Sequence, residues 1–446
     1  MSATVLVVGS GGREHALCWL LDRSPSVGRL LCAPGSHGIA AQAECHSVPA
    51  DDIEGIIRLA AKQSVDLVVV GPEAPLAAGL SDRLMGEGVL CFGPTAAAAR
   101  LESSKGFAKS FMQRHAIPTA RFEAFSDPEA ASALASASPW GYPVVVKADG
   151  LAGGKGVLIC ASAEEALAAV RKTMVGGAYG AAGASVVIEE FLTGIEVTVM
   201  ALADGACALP LLPSQDHKQA FDGDRGPNTG GMGAFAPADA VIASHTLAYV
   251  HTQILQRTVD GMAAEGTPFR GVLYAGVMLT DDGPRVLEYN CRFGDPETQV
   301  VLPLLREDAA ELFAAVAAGS AASGLPAELS WSSRSAACII LAAGGYPGAA
   351  RDGDAITGLT EAGGASGANG KESSDETAGD VIVFHAGTHR GPHGWATAGG
   401  RVLGVTALGD NLAAALDAAY NAVGTIRFEH MHYRGDIGRR PGADFS

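Results

Sequence analysis

Between residues 4 and 94 the chain alternates short β-branched runs with stretches of helical character, and no other feature restricts the fold as strongly. Runs at 4–8, 30–33, 67–70 and 89–92 enclose helical patterns at 14–21, 53–62 and 76–85. That rhythm implies βαβ units and therefore a parallel sheet.

The rest of the chain reads differently. Ser103 and Ser104 are candidate N-caps for a helix to about His115, ended by the Pro118 turn. Runs at 144–147 and 157–160 flank a glycine loop, and a helix over 162–173 and a strand over 185–189 complete a small α+β lid. Strands are expected over 195–203, 272–279 and 285–289, with helices around 240–264 and 298–318. Strands over 336–342, 381–385 and 401–407 and a helix over 411–424 make another small α+β unit. The segment 362–379 is small, polar and short of apolar anchors, as a mobile hairpin tip or disordered insert would be.

Charge narrows the class of ligand. Acidic residues outnumber basic ones by 48 to 31, a net charge of -17, which disfavours a sequence-independent grip on nucleic acid or anionic lipid. Any phosphate must be held locally. No run free of Asp, Glu, Lys and Arg reaches 18 residues, so no transmembrane helix is expected. The opening MSATVLVVGSGG lacks a basic leader, and the eight cysteines are never closer than 13 residues. Both point to a cytoplasmic enzyme with reduced thiols.

The first βα turn reads Gly9-Ser10-Gly11-Gly12-Arg13-Glu14-His15. Its glycines let backbone approach an anion and the next helix offers free N–H groups, so phosphate binding is the natural reading and a bare tight turn the plain one. A dinucleotide fingerprint needs a third glycine where Glu14 stands and an acidic residue where Ala33-Pro34-Gly35 closes the second strand. A nicotinamide cofactor therefore loses both supports. At the same sheet edge, Gly71-Pro72-Glu73 puts Glu73 in place to accept hydrogen bonds from ribose hydroxyls.

The loop Asp149-Gly150-Leu151-Ala152-Gly153-Gly154-Lys155-Gly156 fails as a P-loop in its spacer and in the Gly156 that follows Lys155. Since it joins strand to strand, a flap over polyphosphate fits better, with Lys147 as a fixed cation. Of only eight lysines, Lys105, Lys147, Lys155 and Lys218 lie in these candidate segments. The stretch from Glu189 through Leu192 to Glu196 offers backbone groups to an adenine edge and a carboxylate to a ribose; its plain reading is a solvated acidic turn. Strand period two puts Glu288, Asn290 and Arg292 on one face, and carboxylate plus amide oxygen suits Mg2+. Asp216, Lys218 and the run Asn228-Thr229-Gly230-Gly231-Met232 lie in donor-rich loops. His385, His389 and His393 recur every four residues, but Gly387, Gly391 and Pro392 deny them a helix, so they read as loop histidines.

Taken together, VLVVGSGGREHAL, VVVGPEAPLAAGL, SSKGFAK, KADGLAGGKGV, IEEFLTGIEVTV, DHKQAFDGDRGPNTGGMGAF, LEYNCRFGDPETQ and YRGDIG resemble the glycinamide ribonucleotide synthetase family of ATP-grasp ligases. The resemblance covers essentially the whole chain. It implies a multidomain α/β and α+β fold: a Rossmann-like N-terminal domain over 1–103, an ATP-grasp lid over 104–190, a second ATP-grasp subdomain over 191–328 and a small α+β domain over 329–446. It also implies the second step of purine synthesis, in which ATP, glycine and 5-phosphoribosylamine give glycinamide ribonucleotide, ADP and phosphate.

Under that resemblance ATP falls to Lys105, Lys147, Gly153, Lys155, Gly156, Glu189, Leu192 and Glu196, and Mg2+ or Mn2+ to Glu288 and Asn290. The small-molecule substrates fall to Gly11, Gly12, Arg13, Glu73, Asp216, Lys218, Asn228, Thr229, Gly230, Gly231, Met232, Arg292, Gly294 and Asp295. Lys147 neutralises phosphate charge, Arg292 is a bidentate partner for a carboxylate and Asp216 orients an amino group. A monomer or weak homodimer is expected. A different ATP-grasp carboxylate–amine ligase, a Rossmann oxidoreductase and a nucleotide sensor without turnover are the competing readings.

Overall fold

The computed structural model describes residues 2–153, 156–319, 325–360 and 381–439. Lys155 and the 362–379 insert lie outside the described residues. The N-terminal alternation folds as expected. Its five parallel strands run in the order Glu44–Cys45, Val27–Pro34, Ala3–Gly9, Leu67–Val70, Leu90–Phe92. Val5, Leu6, Val7 and Val8 are all fully buried, because helices cover both faces of the sheet. Val5 and Val7 pack with Leu17 and Leu21, and Leu6 and Val8 with Ile56 and Leu59. The helix expected over 76–85 is two shorter ones, Glu73–Ala77 and Leu80–Gly86.

Ser104, not Ser103, caps the next helix, Lys105–Arg114, by accepting from the Phe107 amide at 3.1 Å. Ser103 ends a separate helix, Ala96–Ser103. Two further elements were not expected: the strand Phe122–Phe125, with no buried residue, and the alanine-rich helix Pro128–Ala137 capped by Asp127. Neither carries a strong apolar period. The strand Phe122–Phe125 edges an antiparallel sheet that continues with Val186–Glu190, Val144–Ala148 and Val157–Cys160.

A second antiparallel sheet orders Ala208–Pro210, Ile195–Asp204, Arg270–Thr280 and Gly283–Asn290. The last large sheet orders Gln215–Asp216, Gly233–Ala236, Ser335–Ala342, Arg401–Gly409 and Val381–His385, so it draws strands from both sides of residue 328. No helix among the described residues is long and apolar enough to cross a membrane.

Two seams lock these sheets around a central cleft. At one, Phe313 of the helix Ala309–Ala318 stacks on Phe92 with ring centroids 4.3 Å apart, and Phe293 closes against both. At the other, buried His15 accepts the His385 amide on Nδ1 at 2.8 Å and meets Phe384 edge-on. Burial draws the His15 imidazole down to about 4, with the His385 amide opposing. In the unfolded chain the same group titrates near 6.5, so between these values the unfolded chain binds the extra proton. Stability from this seam is complete above pH 6.5 and falls as the pH drops toward 4. Urea unfolding midpoints should decline over that range, and His15→Asn should flatten the slope by about one proton. An unchanged slope in the variant would show that His15 does not titrate as the seam requires.

Candidate active site

Lysines and carboxylates set the electrostatics of the cleft. Lys109 and Lys147 both reach the same oxygen of Glu189, at 2.9 and 3.0 Å, and all three side chains are buried. Lys147 also donates to the Leu287 carbonyl at 3.1 Å, and Lys109 to the Thr119 hydroxyl at 2.7 Å. Burial, with repulsion from Lys147 and Lys105, draws the Lys109 ammonium down to about 8 against the pull of Glu189. Nearer the opening, Lys105 meets Glu288 at 3.2 Å, and Lys218 lies between Glu196 and Glu288, 3.9 Å from the latter. Burial opposes ionisation of Glu288, but Lys105, Lys218 and Lys147 outweigh it and hold the carboxyl well below the usual carboxylate range.

The strand Gly283–Asn290 delivers Glu288 and Asn290 to this cluster. A bulge at Leu287, between pairings Gly276 with Glu288 and Val277 with Val286, breaks the register yet leaves Glu288 and Asn290 on one face. The strand ends before Arg292, whose Nη2 nevertheless turns back to the Asn290 amide oxygen at 3.3 Å. Arg292 also pairs with Glu102 at 3.0 Å and with Glu73 at 3.4 Å. Glu102, buried and accepting the Cys291 amide at 2.7 Å, thereby fixes the end of the strand.

The first βα turn holds an anion of its own. The Glu14 carboxylate accepts the Gly11 amide at 2.6 Å and the Arg13 Nε at 2.6 Å, while Arg13 donates to the Phe293 carbonyl at 3.3 Å. A Cβ on Gly71 would stand 2.1 Å from Glu14 Oε1, and one on Gly9 2.5 Å from its Cγ. The glycines of both turns therefore make room for Glu14. Gly12 instead faces the Gln299 amide and Asp295.

The donor-rich loop is anchored from the C-terminal sheet. Arg401 bonds the carbonyls of Asp295 and Gly230 and pairs with the Asp295 carboxylate at 2.8 Å, and the Gly230 amide donates to the Tyr346 hydroxyl at 3.0 Å. Thr229 is tied to the Lys218 carbonyl, Asn228 ends an exposed strand, and Met232 is buried. Asp216 is pushed well above the usual carboxylate range by burial and by Glu297, which itself accepts from Tyr274 at 2.8 Å and Thr198 at 3.1 Å. Gly294 lies against the Glu297 carboxylate.

Of the candidates read from sequence, the structure brings Lys105, Lys147, Glu189, Lys218, Glu196, Glu288, Asn290 and Arg292 into one network. Gly11, Arg13 and Glu73 join it through Phe293 and Arg292. Leu192 is half-buried and Gly153 open at the rim of the lid, and Gly156 packs against Ala148 and Ala152. Sequence reasoning missed Lys109, Glu102, Glu297 and Arg401. Only Lys109 carried a signal, since it follows Lys105 by one helical turn. Among the described residues no three His, Cys, Asp or Glu side chains form a preformed metal cage. The hard-oxygen pair of ionised Glu288 and Asn290 still fits a divalent ion completed by water and phosphate.

Comparison with known proteins supplies the context. Family models described as the N, ATP-grasp (A) and C domains of phosphoribosylglycinamide synthetase match residues 3–102, 103–298 and 336–440. A phosphoribosylamine–glycine ligase of Caulobacter vibrioides is 48% identical over 98% of this chain and 98% of its own. The human trifunctional purine biosynthetic protein adenosine-3 is 48% identical over 99% of this chain, which spans 42% of that relative's length. The crystal structure of a Thermotoga maritima phosphoribosylamine–glycine ligase superposes with a TM-score of 0.81 at 33% identity, covering 97% of this chain and 100% of that one.

The tightest point of the loop is Gly231, with φ +106°, where a Cβ would stand 2.5 Å from Pro296 Cδ and 2.6 Å from Asp216 Oδ1. Gly231→Ala should therefore cost about 1–3 kcal/mol by urea denaturation, from backbone strain and the contact together. A loss below a few tenths would mean that the loop relaxes freely.

Proposed function

The chain belongs to the phosphoribosylglycinamide synthetase family, and on that premise we propose that it joins glycine to 5-phosphoribosylamine with cleavage of ATP, the second step of purine synthesis. The observation that carries the reading is the set of lysines around Glu288: Lys105 and Lys218 touch its neighbourhood directly and Lys147 stands behind, an arrangement suited to a polyphosphate. The four lysines Lys105, Lys109, Lys147 and Lys218 outnumber the three carboxylates they pair with, Glu189, Glu196 and Glu288, which leaves a local excess of positive charge in an anionic chain. It answers the requirement that any phosphate be held locally.

Glycine is activated first, because a carboxylate is a poor acyl donor. Its carboxylate oxygen attacks the γ-phosphorus of ATP in line, the β–γ bridging oxygen leaves with ADP, and glycyl phosphate remains. Lys105 and Lys147 neutralise the charge that passes between the phosphates. Arg292, whose guanidinium is held by Glu102 and Glu73, is placed to receive the glycine carboxylate and then the acyl phosphate. Glu288 and Asn290 would hold Mg2+ or Mn2+, which supplies a Lewis acid for the phosphates when bound. The amine of phosphoribosylamine next attacks the acyl carbon, the acyl carbon–oxygen bond to phosphate breaks, and the proton lost by the amine passes to the departing phosphate. Asp216, whose raised carboxyl lies beside the Gly231 turn, is placed to orient an amino group there.

The sugar phosphate is assigned to the helix start at Gly11, Gly12 and Arg13, on the edge where Gly12 faces Asp295 and Gln299. The adenosine is assigned to the lid edge from Glu189 to Glu196. Within the loop that includes Lys155, the flap is assigned to the polyphosphate.

Two measurements test this. Glu288→Gln or Asn290→Ala should lower turnover by about a hundredfold while leaving the protein folded, since phosphoryl transfer depends on metal-held neutralisation. Near-wild-type rates at saturating Mg2+ would remove the pair from the metal site. With glycine carrying 18O in its carboxylate, one labelled oxygen should appear in the released phosphate of each turnover. Unlabelled phosphate would exclude an acyl phosphate, and absence of glycine-dependent ADP release would exclude the ligase reading.

A further inference from the structure

Lys109 takes no part in the chemistry just described, yet it is among the most deeply buried charges of the cleft. Its side chain is 3% exposed and that of Glu189 2%. Lys109 follows Lys105 by one turn on the helix Lys105–Arg114 and so stands on the same wall, one layer further in. It is clamped there. Its ammonium donates to Thr119 Oγ1 at 2.7 Å, and that hydroxyl donates to the Val286 carbonyl at 2.6 Å, on the strand that carries Glu288 and Asn290.

The consequence concerns Glu189. One of its oxygens receives both Lys109 and Lys147, and the other has no hydrogen-bond partner among the described residues. With Lys109 absent, Lys147 would be the sole partner of a buried carboxylate. Opposite charges about 3 Å apart in a poorly solvated interior hold each other strongly, and separating them leaves a bare buried charge. A nucleotide phosphate would then have to take Lys147 away from Glu189. With Lys109 present, Glu189 keeps a cation whether or not Lys147 turns to a ligand.

We propose that Lys109 is a positioning residue of the nucleotide site: by neutralising Glu189 at the same oxygen that Lys147 reaches, it frees the Lys147 ammonium to engage an ATP phosphate. It acts without touching the nucleotide. The proposal rests on the ATP-dependent reading above but not on the identity of the acid or the amine, so it is tested by nucleotide binding alone.

The experiment titrates the full chain with the magnesium salt of ATP, glycine and phosphoribosylamine being absent, and records Kd and Tm for four proteins. Lys109→Met should raise Kd about tenfold or more, the loss expected when one charge-assisted hydrogen bond to phosphate is weakened. Glu189→Gln keeps the backbone of the lid edge assigned to adenine and releases Lys147 as well, because only the buried side chain that meets Lys109 and Lys147 is changed, so its Kd should stay at or below the wild-type value even where its Tm falls. The double variant Lys109→Met/Glu189→Gln should bind within about threefold of wild type, because the uncompensated carboxylate is gone. A purely structural role for Lys109 would weaken binding in both single variants in step with their Tm losses. That result overturns the proposal, as does wild-type Kd in folded Lys109→Met, or a double variant as weak as Lys109→Met. If the wild-type chain itself fails to bind the magnesium salt of ATP, the nucleotide site falls and the proposal with it. Binding without glycine-dependent turnover instead overturns the ligase reading alone.

Discussion

A buried ammonium must be met by a carboxylate, and in this cleft that rule ties together elements distant in sequence. Glu189 comes from the lid sheet, Lys109 from the helix before it, Lys147 from the neighbouring lid strand and Glu288 from the central sheet. Lys109 ties its helix to the lid sheet through Glu189, Lys105 ties the same helix to the central sheet through Glu288, and Lys147 reaches from the lid to the Leu287 carbonyl. The lid therefore sits against the central sheet through polar contacts such as Lys147 with the Leu287 carbonyl and Glu190 with Arg285, and the same lysines line the site proposed for phosphate. Stability and the proposed binding share one set of residues here, so replacing one partner is felt by the others.

The N-terminal turn shows how a signal in sequence can be sound in its physics and still have a nearer explanation. Glycines before a helix do admit an anion, and in the described structure the anion at Gly9, Gly11 and Gly71 is the Glu14 carboxylate. The residue that broke the dinucleotide fingerprint is thus the one that the surrounding glycines accommodate. On the other side of the same helix start, buried Gly12 faces Gln299 and Asp295.

Local patterns carried much of the fold and part of the site. The parallel sheet followed from β-branched runs at regular spacing, and the shared face of Glu288 and Asn290 from strand period two, which survives the bulge at Leu287. Long-range pairings were not legible. Arg401 meets Gly230 across 171 positions and Asp295 across 106, and nothing near Arg401 in the chain announces either partner. Glu102 reads as an ordinary acidic helix residue until the fold sets it under Cys291. The strand Phe122–Phe125 and the helix Pro128–Ala137 escaped for a local reason: the first is an edge without buried residues, and the second is dominated by alanine, which packs without marking a face.

Asp149 shows how two lysines from separate segments are held in fixed relation. Its carboxylate accepts the Gly106 amide at 2.6 Å and the hydroxyls of Ser104 and Ser185 at 3.1 and 3.0 Å, while its carbonyl accepts the Lys105 amide at 2.9 Å. A carboxylate at a helix N-terminus is favoured by the free N–H groups and dipole there. Because Asp149 lies two residues beyond Lys147, the start of the helix bearing Lys105 and Lys109 is pinned to the end of the strand bearing Lys147. The attachment points of the three lysines are set by backbone fixed at that joint, and their ammonium groups are then held by Glu288 and Glu189. An array of cations held in this way loses little further order on meeting a polyphosphate, which lowers the entropic cost of binding it.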